Sequence, residues 1–255
     1  MIDLHHHLLW GVDDGPSQMA TSIEMARMAL DEGITGVIMT PHHMKGRYEN
    51  DIGDLKEKQR VLEEALGDEG IDLKLYLGHE VYGDFDTASE LSQGRILTLN
   101  GSGYLLIEFP FSGIPPYEVQ LVTSLLGQGI RPILAHPERI QMPLKDLKIF
   151  EDFINRGCLL QVNTGSITGL NGKEAWQRAK YLLQHGMVHL LATDAHNTTT
   201  RKPLIREALS RAVKWVGEGE VDTIVARAGD VLWDRGVRIN PPGSPKKARR
   251  FLLRM

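Results

Sequence analysis

One cysteine stands in 255 residues, which excludes an intramolecular disulfide framework and a thiolate-rich zinc site. No apolar run approaches the ~18 residues of a membrane span. No basic leader or cleavage-site pattern precedes Ile2-Asp3-Leu4-His5, so a soluble cytoplasmic protein is expected. Neither sign of charge dominates: 29 basic side chains face 33 acidic ones, for a net charge of −4. Wholesale attraction to nucleic acid or an anionic membrane is therefore not expected. The basic residues are unevenly spread. Residues 245–255 hold five of them and no acid, which leaves 24 basic against 33 acidic groups in the rest. No Gly-rich nucleotide loop and no Gly-x-Ser-x-Gly elbow occurs. Cys158 opens an apolar run and lacks the arginine-bearing cradle of a cysteine phosphatase, so it reads as inert core. Aromatic residues are sparse at 6%, yet there are ten histidines.

Seven short apolar runs, 1–5, 36–40, 73–77, 104–109, 131–135, 158–162 and 188–193, alternate with longer helix-like stretches. Most are continuous rather than alternating, as in parallel strands covered on both faces. A helix is expected to open with capping chemistry at Thr21-Ser22-Ile23-Glu24 and to stop at Gly33. Others are expected over 54–66, 116–126, 144–155, 173–184 and 203–216, several ending at a glycine. This alternation reads as repeated βα units. Seven strands point to a barrel one unit short of eight, with a doubly wound open sheet as the alternative. No linker precedes Pro241, so one domain over 1–240 and a basic tail over 241–255 are expected.

The ends of the runs carry the chemistry. Six of the seven run into His5-His6-His7, His42-His43, His79-Glu80, Glu108, His136-Pro137-Glu138-Arg139 or Asp194-Ala195-His196. The exception ends at Asn163-Thr164. In parallel α/β barrels these ends share the rim where active sites are built. Strand alternation puts Asp3, His5 and His7 on one face and His6 on the other. Nine side chains thus become candidate ligands for two or three ions: His5, His7, Asp14, His42, Glu80, Glu108, His136, Asp194 and His196. Mixed imidazole and carboxylate suits Zn, Mn or Fe. A polynuclear site of this kind serves phosphoryl transfer.

Any one of these histidines alone is more simply a hydrogen-bonded structural residue; the repetition at the rim is what points to metal. Asp3 and Asp13 are further carboxylates, Asp3 better suited to support than to ligation. His43 and His79 adjoin ligands and could orient them, while His6, His185 and His189 read as structural. Arg139 and Arg201 lie near a proposed cluster of cations, which makes sense if an anion such as phosphate sits between. Lys45 and Arg47 are a weaker case for substrate contact.

Asp3-x-His5-x-His7, Gly11-Val12-Asp13-Asp14-Gly15, Thr40-Pro41-His42-His43, Glu80, Glu108, His136-Pro137-Glu138-Arg139 and Asp194-Ala195-His196 together resemble the polymerase-and-histidinol-phosphatase (PHP) superfamily. More narrowly, the chain is similar to its bacterial protein-tyrosine phosphatases encoded with capsule and exopolysaccharide genes. The resemblance implies a distorted seven-stranded (β/α)7 TIM-like barrel holding three divalent ions, usually Mn2+. By position, His5, His7, Glu80 and Asp194 would hold one ion, Glu80, Glu108 and His136 a second, and Asp14, His42 and His196 a third. Arg139 and Arg201 would bind phosphoryl oxygens. The implied reaction is phosphotyrosine hydrolysis by a metal-activated hydroxide, on a tyrosine-phosphorylated protein such as a bacterial tyrosine autokinase. His6 stands where the family often has cysteine, and His79 also departs from the pattern. The other readings are a histidinol-phosphatase-like phosphomonoesterase, a phosphodiesterase or nuclease of the same superfamily, and a non-catalytic metal-stabilised binding module.

Overall fold

A computed structural model describes residues 1–239, and the basic tail lies outside them. The described chain forms strands β1 (Ile2–His6), β2 (Gly36–Met39), β3 (His42–His43), β4 (Lys74–Leu77), β5 (Glu80–Tyr82), β6 (Tyr104–Glu108), β7 (Arg131–Ala135), β8 (Leu159–Asn163) and β9 (Leu190–Ala192). Helices are α1 (Met19–Asp31), α2 (Ile52–Asp68), α3 (Thr87–Ser92), α4 (Glu118–Gly127), α5 (Ile149–Asn155), α6 (Thr164–Thr168), α7 (Lys173–Gln184), α8 (Arg206–Val216) and α9 (Glu218–Leu232). All strand pairs are parallel, in sheets of order β1-β2-β4 and β3-β5-β6-β7-β8-β9.

Nine strands replace the seven expected, because two short strands, β3 and β5, form just past the ends of two runs. Pro41 has no N–H to give a ladder, and it separates β2 from β3. The His79 N–H turns away to the Leu97 carbonyl (3.2 Å), separating β4 from β5. Register still carries across both breaks: Gly78 N–H donates to Met39 and Glu80 N–H to Pro41. At the other flank, a parallel bridge pairs His6 with Ala195, and Asp194 N–H donates to the His5 carbonyl at 2.9 Å.

The expected helices form, with shifted ends. α1 starts at Met19, two residues before the anticipated capping box, and its cap position Gln18 makes no side-chain bond. Ser22 is instead buried inside the helix with its hydroxyl unpaired. Met19 packs against the α1–α2 core, so the apolar stripe sets the start and overrides the cap. Asp51 does cap α2, accepting from Gly53 and Asp54 N–H. Within the stretch 144–155, residues Leu144–Lys148 are a 3-10 turn leading into α5.

Two apolar layers flank the strands. Leu105, Ile107, Leu134, Leu160 and Val162 face outward onto α4, α5 and α7. Leu4, Ile38, Leu106, Ile133, Leu159 and Leu190 face inward, joined by Ala228, Val231 and Leu232 of α9. The amino-terminal half of the interior is thus packed with hydrocarbon, and the polar residues at the other end of the strands sit on that floor.

Candidate metal centre

Strict alternation fails in β1, and the failure shapes the site. Asp3 pairs with Val37 but His6 pairs with Met39, so three steps on β1 match two on β2. Leu4 packs with the inward cluster, and the bulge then resets the phase so that His5 and His7 both reach the rim interior. Asp3 therefore does not share the face of His5. It accepts from the Thr193 N–H (3.1 Å) and hydroxyl, and burial pushes its carboxyl up to about 6. His6 faces away, buried with both ring nitrogens unpaired, and burial lowers it to about 3.

Of the nine candidates, eight fall into three compact groups: His5, His7, Glu80 and Asp194; His7, Asp14, His42 and His196; and His42, Glu80 and Glu108. The groups share His7, His42 and Glu80. The grouping differs from the expected one in that His42, rather than His136, completes the triple around Glu108. His136 Nε2 meets the other oxygen of Glu80, Oε1, at 2.7 Å and lies 3.9 Å from Glu108 Oε2.

The histidines are oriented from behind. His5 Nδ1 donates to Gln161 Oε1 (2.9 Å), His7 Nδ1 to Asp13 Oδ2 (2.7 Å) and His196 Nδ1 to the Asp194 carbonyl (3.0 Å). Each bond leaves the Nε2 lone pair aimed into the cluster, as buried acceptors behind metal-binding imidazoles do. The lone pairs meet other acceptors. His5 Nε2 lies 3.3 Å from His7 Nε2, and Glu80 Oε2 lies 3.0, 3.1 and 3.2 Å from His5 Nε2, His7 Nε2 and His42 Nδ1. Only positive charge between such atoms makes the arrangement attractive. Burial opposes a charged imidazole, yet Glu80 and Asp194 raise His5 to about 9, and Glu80 and Asp14 raise His42 to about 10. The same field favours a divalent cation, so the donor set fits bound metal. Burial and the neighbouring Glu80 push Glu108 up to about 7, and burial beside His7 holds His196 down at about 4.

Two of the four non-glycine residues with positive φ among the described residues lie at the same place, the others being Asn100 and Asp234. His136 (φ 32°) and Asp194 (φ 52°) are left-handed, a conformation uncommon for non-glycine residues. Gly15 is required by close approach, since a Cβ there would meet the His7 carbonyl at 2.9 Å.

Arg139 and Arg201 reach Asp194 from two sides, at 3.2 and 2.7 Å. Both line a cleft of about 280 Å³ whose walls include Asp14, His42, Tyr48, Glu80, Glu108, Phe111 and His136. Arg139 lies over the Phe111 ring at 4.3 Å. The loop carrying Arg201 is fastened by Asn197 Oδ1, which accepts from Thr199, Thr200 and Arg201 N–H.

His43 and His79 do not touch the cluster: His43 Nε2 faces Glu90 (3.2 Å) and His79 Nδ1 accepts from Leu97 N–H (3.0 Å). His185 and His189 are structural, bonded to the Tyr181 carbonyl and the Leu160 N–H. Cys158 is buried, its thiol pushed up to about 12. The residues missed from sequence lie on β8, whose end offers no ligand. Gln161 Nε2 donates to Asn163 Oδ1, and Asn163 Nδ2 donates to Asp194 Oδ2 at 2.6 Å. The polar Gln161-x-Asn163 pattern inside a buried strand was the signal available.

Over residues 1–232 the chain matches the family described as Capsular polysaccharide synthesis, CpsB/CapC. It is 34% identical over 253 residues, 98% of each chain, to the tyrosine-protein phosphatase YwqE of Bacillus subtilis. It is 30% identical over 222 residues, 85% of this chain and 91% of the other, to the tyrosine-protein phosphatase CpsB of Streptococcus pneumoniae. Crystal structures of YwqE and CpsB, described as unique metal-dependent tyrosine phosphatases, include a chain matching this one at TM-score 0.92 and 34% identity, over 97% of this chain and 100% of that one. A histidinol phosphate phosphatase from Lactococcus lactis shares the fold alone, at TM-score 0.52 and 14% identity over 89% and 93% of the two chains. The chain belongs to the CpsB/CapC family.

Proposed function

We propose that this chain is a metal-dependent protein-tyrosine phosphatase. The observation that carries the reading is the convergence of three imidazole nitrogens on one oxygen of Glu80, with the other oxygen on His136. Such a carboxylate is placed to bridge cations. His5, His7, Glu80 and Asp194 would hold one ion, Glu80, Glu108 and His136, with His42 alongside, a second, and Asp14, His42 and His196 a third. Imidazole and carboxylate suit Mn2+, with Fe or Zn as alternatives. Divalent ions at such a site lower the pKa of water and neutralise charge on a transferring phosphoryl group.

The chain's own part is orientation and electrostatics. Gln161, Asp13 and the Asp194 carbonyl fix imidazole tautomers, and Asn163 fixes Asp194. Arg139 and Arg201 present guanidinium forks at the cleft, placed to exchange Asp194 for phosphoryl oxygens and to steady charge as it develops. Glu80, Glu108 and Asp194 are nearly inaccessible, while the Asp14 side chain is 44% exposed and faces the entrance.

We read the two sheets as one distorted seven-stranded (β/α)7 barrel, with β2–β3 and β4–β5 as interrupted staves; the bonds across both breaks and the His6–Ala195 bridge support this. Residues 1–240 form one domain, acting in the cytoplasm on a tyrosine-phosphorylated protein. The substrate we propose is a bacterial tyrosine autokinase governing capsular polysaccharide assembly; the family description, Capsular polysaccharide synthesis, supports the capsule link. Among the described residues no helix is long and apolar enough to cross a membrane. The test is a metal-stripped enzyme restored with Mn2+ and offered a phosphotyrosine peptide, histidinol phosphate and DNA. Turnover of the peptide only with metal is expected; metal-free activity, or preference for histidinol phosphate, contradicts the reading.

A further inference from the structure

The turn after β3 carries a cation that the site described above does not use. Met44 and Tyr48 exchange two backbone hydrogen bonds (2.9 and 2.8 Å), closing a tight loop with Lys45, Gly46 and Arg47 at its tip. Gly46 takes φ +75°, which a side chain there would resist. The two basic residues at the tip differ. Lys45 is engaged by Asp86 at 2.6 Å, and Glu49, the acid next along the chain, accepts from Gly46 N–H. Arg47 is exposed, and among the described residues no carboxylate lies within ion-pair reach of it. Its guanidinium lies over the Tyr48 ring (4.9 Å), and Tyr48 stacks on His42 at 5.7 Å and 13°. A ladder of His42, Tyr48 and Arg47 thus climbs one wall of the cleft from the cluster to the mouth, with all three lining it. Arg139 and Arg201, deeper in, are occupied by Asp194.

Resting on the phosphatase reading, we propose that Arg47 is a specificity residue that selects phosphotyrosyl peptides bearing an acidic residue beside the phosphotyrosine. A guanidinium without a carboxylate partner, held on a closed turn in a protein of net charge −4, is complementary to a carboxylate arriving with the substrate. Seated at the mouth beside Tyr48, Arg47 would meet an acid flanking the aryl phosphate, while the phosphoryl group goes to Arg139 and Arg201 deeper in the cleft.

The experiment compares kcat/KM of the Mn2+-loaded enzyme on two phosphotyrosine peptides, one with Asp and one with Asn flanking the phosphotyrosine. An exposed ion pair of up to ~1 kcal/mol predicts about a fivefold preference for the Asp peptide, expressed in KM. Arg47→Glu reverses the preference, Arg47→Lys retains part of it, and 0.5 M salt reduces it. Equal rates on both peptides, or an Arg47→Glu loss that is the same on both, overturns the proposal while leaving the phosphatase reading intact. Failure of the wild-type enzyme on both peptides, with metal bound, defeats the phosphatase reading instead.

Discussion

Histidines at the two ends of the strands are held in opposite ways. At the amino-terminal end, His189 accepts the Leu160 N–H, and burial beside Arg227 lowers it to about 3, leaving a neutral ring in a satisfied backbone pocket. At the carboxyl end, His42 is raised to about 10 and His5 to about 9 by carboxylates that outweigh burial. Below, the interior is Leu4, Ile38, Leu106, Ile133 and Leu190 sealed by α9; above, it is imidazole and carboxylate. The lower half supplies cohesion and the upper half stores unbalanced charge that cations relieve. Division of labour along one strand is the lesson: Leu106 and Glu108 of β6 are two residues apart and belong to different chemistries.

The comparison can be broken from either side. Glu80→Gln, which removes the shared negative charge, should lower kcat/KM on a phosphotyrosine peptide by about a thousandfold or more, several kcal/mol of lost metal-centred stabilisation, and reduce bound metal by elemental analysis. Near-normal turnover would show that the upper half does not depend on Glu80. Ile133→Ala, in the lower half, should cost about 2–5 kcal/mol in denaturant unfolding while the folded fraction keeps its metal stoichiometry. A loss of metal without a loss of stability would erase the distinction. Asn163→Ala frees Asp194 from one hydrogen bond and should weaken metal affinity or activity by about 10–100-fold. An unchanged metal titration would remove β8 from the site.

The smallest effect concerns pH. A histidine of about 6.5 when unfolded and about 3 when folded leaves the unfolded chain holding more protons between those values. Its contribution is therefore present above about pH 6.5 and is lost as pH falls toward 3. His189→Gln should flatten the decline in melting temperature over that window. An unchanged slope would assign the decline to other groups.

Much of this division was legible in the sequence. The apolar runs and the groups ending them marked both floor and rim, because a buried parallel strand needs hydrocarbon along its length and tolerates charge only where partners converge. What escaped had physical causes. The phase reset in β1 depends on pairing with β2, which no local pattern reveals, so Asp3 was placed with His5. The short strands β3 and β5, past Pro41 and His79, lie outside the apolar runs because the bonds that continue the ladder come from other residues. Gln161 and Asn163 touch His5 and Asp194 by hydrogen bonds, so their role exists only once the fold brings β8 beside β1 and β9. The pairing of His42 with Glu108 likewise depends on side-chain reach from β3 past β5 to β6.

The most direct test is a crystal of the protein loaded with Mn2+ and measured for anomalous scattering. Three peaks are predicted, with the two Glu80 oxygens ligating different ions and Arg139 and Arg201 facing the cleft beside them. A single peak, or peaks that leave Glu80 uncoordinated, would contradict the account.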